Sequence, residues 1–543
     1  GRDGGNGQVT VSNGGRWTLS DGGGDSRPGD SSIGINIGRD ANSSGKLTIT
    51  GPGSSVEITS SSLNPAAGVA DNFNPYVSVG RFSGASGELV VENGGKLLMQ
   101  GNAISTVANS RGTTLHIGGA SDTELGGIGT ARVSGLGSEI RLGGSDAFIA
   151  VGQGLGAIGQ LTVNDQAIVR STGMNVGRAG GVGTLLLDNG TLEFTGQFTG
   201  SNVSGAFLTI GNRGGTGVAN IGNGSHVNLT NLGSAGATLY LGGTGPNPLG
   251  NGTMTLSGAS QINLTAASGL ATFVVGHDGT GFATVKEGSS INVGDGSTFI
   301  GRLAGSTGTL VMQSGSSLNS GYVGVGRTPA GDGGTGTLIL SNSTLTATTI
   351  EIGTAGFLGG NNGVINGNVI LHGVLSPGES PGRIIVNGGL RTGSGHLILD
   401  VASNGDNGFD IDHLILTKGS TFSFTGLEVT FNFLAGADPG AFAAAGGLDL
   451  DNFLQSLDPA TGAITGLSSE FTEGETWSSL FATATFDAVS DAQVLTDFVV
   501  SANGDVSFNV AAVPEPETWA LMLFGLGALA GRARRRARAA ARN

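Results

Sequence analysis

The sequence predicts an all-β protein, a single-stranded parallel β-solenoid (β-helix), and three observations carry that expectation. A triplet of short patterns recurs from residue 1 to about 353. Apolar and polar residues alternate with period two inside each pattern, as in half-buried strands. Glycine supplies 105 of 543 residues. That is more than twice its usual share of roughly 7%, yet it has no three-residue period, which excludes collagen.

The repeat reads in a fixed order. First comes a β-branched or Leu residue followed by Gly, often with Arg next. A Gly-flanked apolar triplet follows, and then another short alternating run. One early coil shows all three as INIGRD (35–40), GKLTIT (45–50) and SSVEIT (54–59), and later coils read VGVGR, TGTLIL and STLTA (323–347). The Gly of the first pattern falls at 38, 80, 118, 152, 177, 211, 242, 276, 301, 326 and 353, so the shortest spacing is 25 residues. A bare coil is therefore about 25 residues, and longer coils carry inserted loops. Val56-Glu57-Ile58, Ile140-Arg141-Leu142, Leu192-Glu193-Phe194, Val227-Asn228-Leu229, Ile262-Asn263-Leu264 and Ile291-Asn292-Val293 each place two apolar side chains on one face. The Gly, Asn, Ser and Asp between runs suit tight corners. Three strands and three corners make one rung. Stacking at about 4.8 Å per rung supplies the backbone pairing and a shared interior, and about eleven rungs span on the order of 50 Å.

Residues 1–353 are thus assigned to the solenoid. Its first residues, GRDGGNGQVTVSNGGRWTL, align with 38–58 from the anchor Gly onward. The chain opens inside a repeat, and we read it as N-terminally incomplete, lacking a cap and a secretion signal. Residues 354–434 form a stem. Within it GVLSPGESPGRIIVNGGL (373–390) resembles the C-terminal stem of autotransporter-type passengers, and Pro377 and Pro381 are expected to help end the sheet edge. Residues 435–511 are expected to be a small α+β cap, with one short helix near 448–457 and a hairpin of strands at 494–500 and 505–511 around Asn503-Gly504.

The tail, 512–543, reads AVPEPETWALMLFGLGALAGRARRRARAAARN. Pro514, Glu515 and Pro516 precede an apolar run containing Trp519, Leu521, Leu523, Phe524, Leu526 and Leu529, and then Arg532, Arg534, Arg535, Arg536 and Arg538. A 13-residue helix spans only about 20 Å, short of the ~30 Å hydrocarbon core, so the flanking arginines must snorkel. Their charge places the C-terminus in the cytoplasm and the solenoid outside. This order of parts resembles the PEP-CTERM sorting signal of Gram-negative bacteria. The resemblance implies transient anchoring in the inner membrane by one short hydrophobic helix. It also implies processing near the motif by an exosortase-type membrane enzyme, and delivery to the cell surface or extracellular polysaccharide matrix.

Composition excludes several classes. There is no Cys, so disulfides and Cys-based metal sites are impossible. Net charge is −15 overall; without the six Arg of the last 13 residues the balance is 19 basic against 40 acidic groups, or −21. Such a body repels nucleic acid. We expect no cofactor and no metal. The six His are scattered, and the Gly runs lack the Lys-Ser/Thr of a phosphate loop. Asp406, Asp410 and Asp412 alternate as calcium ligands do, but the Gly-Gly-x-Gly-x-Asp repeat is absent, and a turn role is favoured.

Two columns are candidate glycan-facing positions. Arg2, Arg39, Arg81, Arg178, Arg213, Arg302 and Arg327 follow the anchor Gly; they either hold acidic polysaccharide through forked contacts or pair with local acids such as Asp3 and Asp40. Thr18, Glu57, Arg141, Glu193, Asn228, Asn263, Asn292 and Asn319 point outward from the third pattern, and the Asn run reads as an amide ladder, a sugar-facing surface or an ordinary solvated face. The second pattern's outward column, Thr10, Thr48, Val90, Thr162, Leu186, Thr255, Val311 and Ile339, ends apolar and suits lateral packing. The expected function is a secreted, non-catalytic surface or matrix protein, an adhesin or biofilm component. The alternative is a β-helix polysaccharide lyase or hydrolase, which needs several carboxylates converging on one groove.

Overall fold

The computed structural model describes residues 1–20, 33–60, 75–101, 113–144, 147–199, 202–231, 235–244, 249–267, 270–378, 381–405, 408–490 and 493–512. They form a three-faced parallel solenoid in which each face corresponds to one pattern of the repeat. On the second face Asn6–Val11, Ser44–Thr50, Ser86–Glu92 and Ile128–Ser134 pair in parallel, in that order and without register slips. The sheet that holds them has 17 strands, of which only Phe409–Ile411 is antiparallel, so sixteen stand in the column. Eleven of the sixteen, through Thr335–Ser341, lie in the repeat region. Five more continue the stack to Thr485–Ser490.

The third and first faces make the other large sheet. Where the corner between them needs no insertion, one strand serves both, as in Ser317–Val325, Thr344–Ile352 and Gly363–Leu371. The inward residues form columns of nearly equal size. Val227, Ile262, Ile291 and Leu318 stack on the third face, and all are at most 1% exposed. A coil cannot bury these side chains alone; each is covered by the coils above and below.

Glycine content follows from one corner. The anchor Gly177 has φ +71, and a Cβ there would lie 2.0 Å from the carbonyl oxygen of Thr216 in the next coil. Across from it, a Cβ on Gly217 would lie 2.2 Å from the Val176 oxygen. Two glycine columns thus face each other where the first face meets the second, and backbone packs on backbone with no room for side chains. The opposite corner is closed differently. There Asn13, Asn93, Asn189 and Asn223 adopt left-handed φ of 54 to 55, which Asn tolerates. A buried serine of the coil above accepts a backbone N–H from below: Gly14 N–H to Ser54 Oγ (3.1 Å), Ser225 N–H to Ser260 Oγ (3.1 Å) and Ser260 N–H to Ser289 Oγ (3.2 Å).

Two expectations need correction. Pro377 does not end the sheet: it is the buried last residue of Val374–Pro377, and only Val374 and Leu375 pair upward, with His396 and Leu397. The missing N–H of proline shortens the ladder locally, and the stack resumes in full at His396–Ser403 against Glu428–Phe433. The helix near 448–457 is only four residues, Leu450–Phe453, capped by Asp449. Residues Leu454–Leu457 are instead a strand parallel to Leu414–Thr417. The exposed edge of that coil supplies backbone partners, and Leu454 continues the core column at 1% exposure, so tertiary pairing overrides a weak helical pattern. A second helix, Pro439–Ala444, is capped by Asp438.

The hairpin forms as expected, from Gln493–Val500 and Val506–Ala512. Aromatic side chains fill the last coils: Phe424, Phe431, Phe453 and Trp477 are at most 1% exposed, and Trp477 meets Phe471 at 4.9 Å and Phe481 at 5.7 Å. Among the described residues no helix is long and apolar enough to cross a membrane. The expected hydrophobic helix lies in 518–530, outside them.

Candidate functional site

The backbone register turns the outward residues into columns, and each candidate can be placed on one. At the first-face corner Arg39 N–H donates to Gly1 O, Arg81 N–H to Gly38 O and Arg302 N–H to Gly276 O, so these residues occupy one line. The line is interrupted. Gln153 pairs with Gly119 below and Arg178 above, and Arg178 pairs with Asn212. Arg213 sits one residue further on.

The arginines divide by partner. Asp122, on an inserted loop, accepts two bonds from Arg178 (Nε and Nη2, 2.7 Å each), one from Arg213 (2.9 Å) and one from Gln153 (2.7 Å). Partial burial alone raises the pKa of this carboxyl, but the hydrogen bond and charge of Arg178, with the hydrogen bond of Gln153 and the charge of Arg213, outweigh it and hold the pKa at about 2. Gln153 in turn meets His116 Nδ1 at 3.0 Å. This clasp ties four successive coils together. Arg327 pairs with Asp332 (2.8 Å) and Glu351 (3.4 Å), and Tyr322 donates to Glu351, which with burial raises its hydroxyl above the usual range. Arg39 reaches Asp40 only at 3.8 Å. Arg81 lies over Phe82 (4.7 Å) and Tyr76 (5.7 Å), and Arg302 over Phe299 (4.9 Å); neither has a carboxylate partner among the described residues. Stacking of guanidinium on rings is a cation–π arrangement, and it leaves these two charges uncompensated.

On the third face the column assembles in order, with Leu98 between Glu57 and Arg141 and with Arg170 between Arg141 and Glu193. Arg170 was missed in the repeat alignment because its run, Ile168–Ser171, is short. It bridges Glu139 and Glu193 at 2.6 Å each, while Arg16 pairs with Glu57. The N-terminal half of the face therefore carries ionised side chains of both signs joined by ion pairs between coils. From His226 onward the column is Asn228, Asn263, Asn292, Asn319, Thr346, Asn366. Asn263 Nδ2 donates to Asn228 Oδ1 (3.1 Å) and Asn319 Nδ2 to Asn292 Oδ1 (3.0 Å). An amide ladder forms, and no bond joins the 263–292 step.

The second-face column also assembles, with Arg132 between Val90 and Thr162. Val90 is 6% exposed, whereas Leu186, Val311 and Ile339 are half-buried. Asp406 lies outside the described residues. Asp410 is exposed, but Asp412 is fully buried and accepts N–H bonds from Gly382 (2.7 Å) and Asp400 (2.9 Å). Burial raises its carboxyl to about 7 despite those bonds. The two carboxylates do not converge, and Asp412 fastens the loop around Pro381 to the core. Among the described residues no three His, Asp or Glu are arranged to hold a metal ion.

Sorting-motif residues Pro514, Glu515 and Pro516, the apolar Trp519, Leu521, Leu523, Phe524, Leu526 and Leu529, and Arg532, Arg534, Arg535, Arg536 and Arg538 lie outside the described residues. Residues 512–537, which include all of these except Arg538, match the PEP-CTERM protein-sorting motif. This motif marks a chain for export and for recognition by an exosortase, a membrane processing enzyme. No curated protein matches the chain. The chain is a parallel β-solenoid protein that carries a PEP-CTERM protein-sorting motif at residues 512–537.

Proposed function

We propose that the protein is a non-catalytic component of the cell surface or extracellular matrix, an adhesin or biofilm constituent that binds extracellular polysaccharide. On this reading it is held briefly in the inner membrane before exosortase processing. The observation that carries it is the pairing of a sorting tail with an unbroken stack of sixteen parallel strands on one face. Such a stack is a long, regular surface suited to repetitive contacts.

The charged groups support binding rather than chemistry. A glycosidase needs two carboxyl groups about 5–9.5 Å apart with a free sugar site between them. Here Glu139 and Glu193 are bridged by Arg170, Asp122 is held by Arg178 and Arg213, and Glu351 by Tyr322 and Arg327. Asp412 has the acidity of a proton donor but is 0% exposed, so no polymer reaches it. Purified full-length protein should bind cells, matrix glycans or itself, and release no product from acidic polysaccharides. Binding to none of these, or product release, overturns the proposal.

A further inference from the structure

The third face changes character abruptly at residue 226. Below it, each strand carries ionised side chains, such as Glu139, Arg141, Arg170 and Glu193. From His226–Asn231 through Gln261–Ala266, Ser290–Asn292 and the third-face halves of Ser317–Val325, Thr344–Ile352 and Gly363–Leu371, six successive levels carry no Asp, Glu, Lys or Arg. Arg383 ends the neutral stretch. In a chain of net charge −15, this is a sharply bounded surface. It faces solvent, with Asn292, Asn319 and Thr346 exposed.

Its hydrogen bonds also share one direction. Asn263 donates down to Asn228, Asn319 to Asn292, Asn366 to Thr346 (3.2 Å) and Asn387 to Asn366 (2.8 Å). Each primary amide has two N–H donors and a carbonyl acceptor. Asn263, Asn319 and Asn366 each spend one donor in the ladder while Asn228 and Asn292 only accept, so every amide of the column keeps at least one N–H outside it, at levels about 4.8 Å apart.

We infer that this neutral half of the third face, from Asn228 to Asn366, binds an uncharged linear glycan laid along the solenoid axis. The inference rests on the polysaccharide-binding reading above and specifies its ligand. Three features select that occupant. Amides and hydroxyls both donate and accept, as sugar hydroxyls do. The absence of formal charge gives an acidic polymer nothing to pair with, while the acidic body repels it. The column carries no large exposed apolar or aromatic side chain, the kind of anchor that a protein partner uses.

The test is a sedimentation assay of the full chain with insoluble unbranched β-glucan, and separately with alginate as the acidic polymer. Asn292→Ala/Asn319→Ala should weaken glucan binding at least tenfold. Thr284→Ala/Thr309→Ala, on the second face, should leave it unchanged. Unchanged β circular dichroism and thermal midpoint of the first variant would show that the loss is not unfolding. Equal glucan binding by parent and Asn variant overturns the inference, as does no glucan binding at all. If the chain binds alginate alone, and Arg81→Ala abolishes it, this inference falls while the adhesive reading stands. If it binds neither polymer, cells nor itself, both fall.

Discussion

Two glycine-to-alanine substitutions separate backbone strain from packing between coils. Gly177 and Gly224 have nearly the same φ, +71 and +73, but a Cβ at Gly177 meets Thr216 O at 2.0 Å while a Cβ at Gly224 meets nothing within 4 Å. Both variants force an L-residue into the left-handed region, which costs roughly 1 kcal/mol. Only Gly177→Ala also pushes two coils apart, an overpacking cost of about 1–3 kcal/mol. Taken together, Gly177→Ala should cost about 3 kcal/mol. Stability in a repeat array is a sum of local terms, so the readout should be local opening, measured by amide hydrogen exchange in Gly173–Arg178 and Thr216–Gly222. At 1.4 kcal/mol per tenfold, Gly177→Ala should accelerate exchange there by about two orders of magnitude, and Gly224→Ala by about fivefold. Equal effects of the two variants would refute the claim that the glycine columns exist to let backbones touch.

Other interactions give separate tests. Ser260→Ala removes one of the two acceptors of the Ser225 N–H, which also reaches Gly222 O at 3.2 Å, and should cost about 1 kcal/mol in a denaturant melt, the net worth of one hydrogen bond between coils; no loss would show the serine column to be incidental. For Asp122 the folded value of about 2 lies below the ordinary 3.8, so its contribution is present above pH 3.8 and lost as pH falls towards 2. Asp122→Asn should therefore cost about 1–2 kcal/mol at neutral pH, after screening, and little below pH 2; a difference independent of pH would contradict the clasp. Asp412 has the opposite sign: its folded value is raised to about 7, so the folded state favours the proton and loses stability as pH rises from about 4 to 7. The stability of the parent minus that of Asp412→Asn should fall across that window and stay level above it, whereas a constant difference would place the titration elsewhere. Trp477→Ala opens a cavity among Phe471 and Phe481 and should cost about 3–5 kcal/mol, seen as selective proteolysis of residues 428–490 before the central coils. Uniform protection would mean that the aromatic cluster does not seal the end.

The solenoid was legible because its signal is redundant. Val56-Glu57-Ile58 is weak evidence for a strand, but the same spacing in Ile140-Arg141-Leu142 and Val227-Asn228-Leu229 makes each run evidence for the others. Redundancy also explains what was missed. Past residue 353 the coil length becomes irregular, first shorter than the repeat (Phe357 pairs with Val374) and then much longer (Glu428 pairs with Thr485), and the glycine anchor disappears, so Thr485–Ser490 stacks on Glu428–Phe433 with nothing local to mark it. Leu454–Leu457 was read as helix for the same reason: its strand partner lies about forty residues earlier and has no repeat motif. Arg178 and Arg213 were visible as positions after the anchor Gly, but Asp122, their shared partner, sits 56 and 91 residues away in chain order, in an insertion that the alignment sets aside.

The distribution of constraint shows where function can reside. The first–second corner is committed to glycine by backbone contact, and the second–third corner to Asn and Ser by left-handed φ and buried N–H groups. Inward positions need apolar residues of matched size, since each covers its neighbours. Much of the first face is also spent, because Asn175, Thr209 and Asn212 are at most 3% exposed there. Outward positions of the second and third faces remain free of these demands. Folding alone would let charge fall on them at random. Instead, ions gather on the N-terminal half of the third face and vanish over six consecutive levels of the other half. The core does not require that division; binding of a glycan there, as proposed, accounts for it, and the Asn292→Ala/Asn319→Ala variant tests that account.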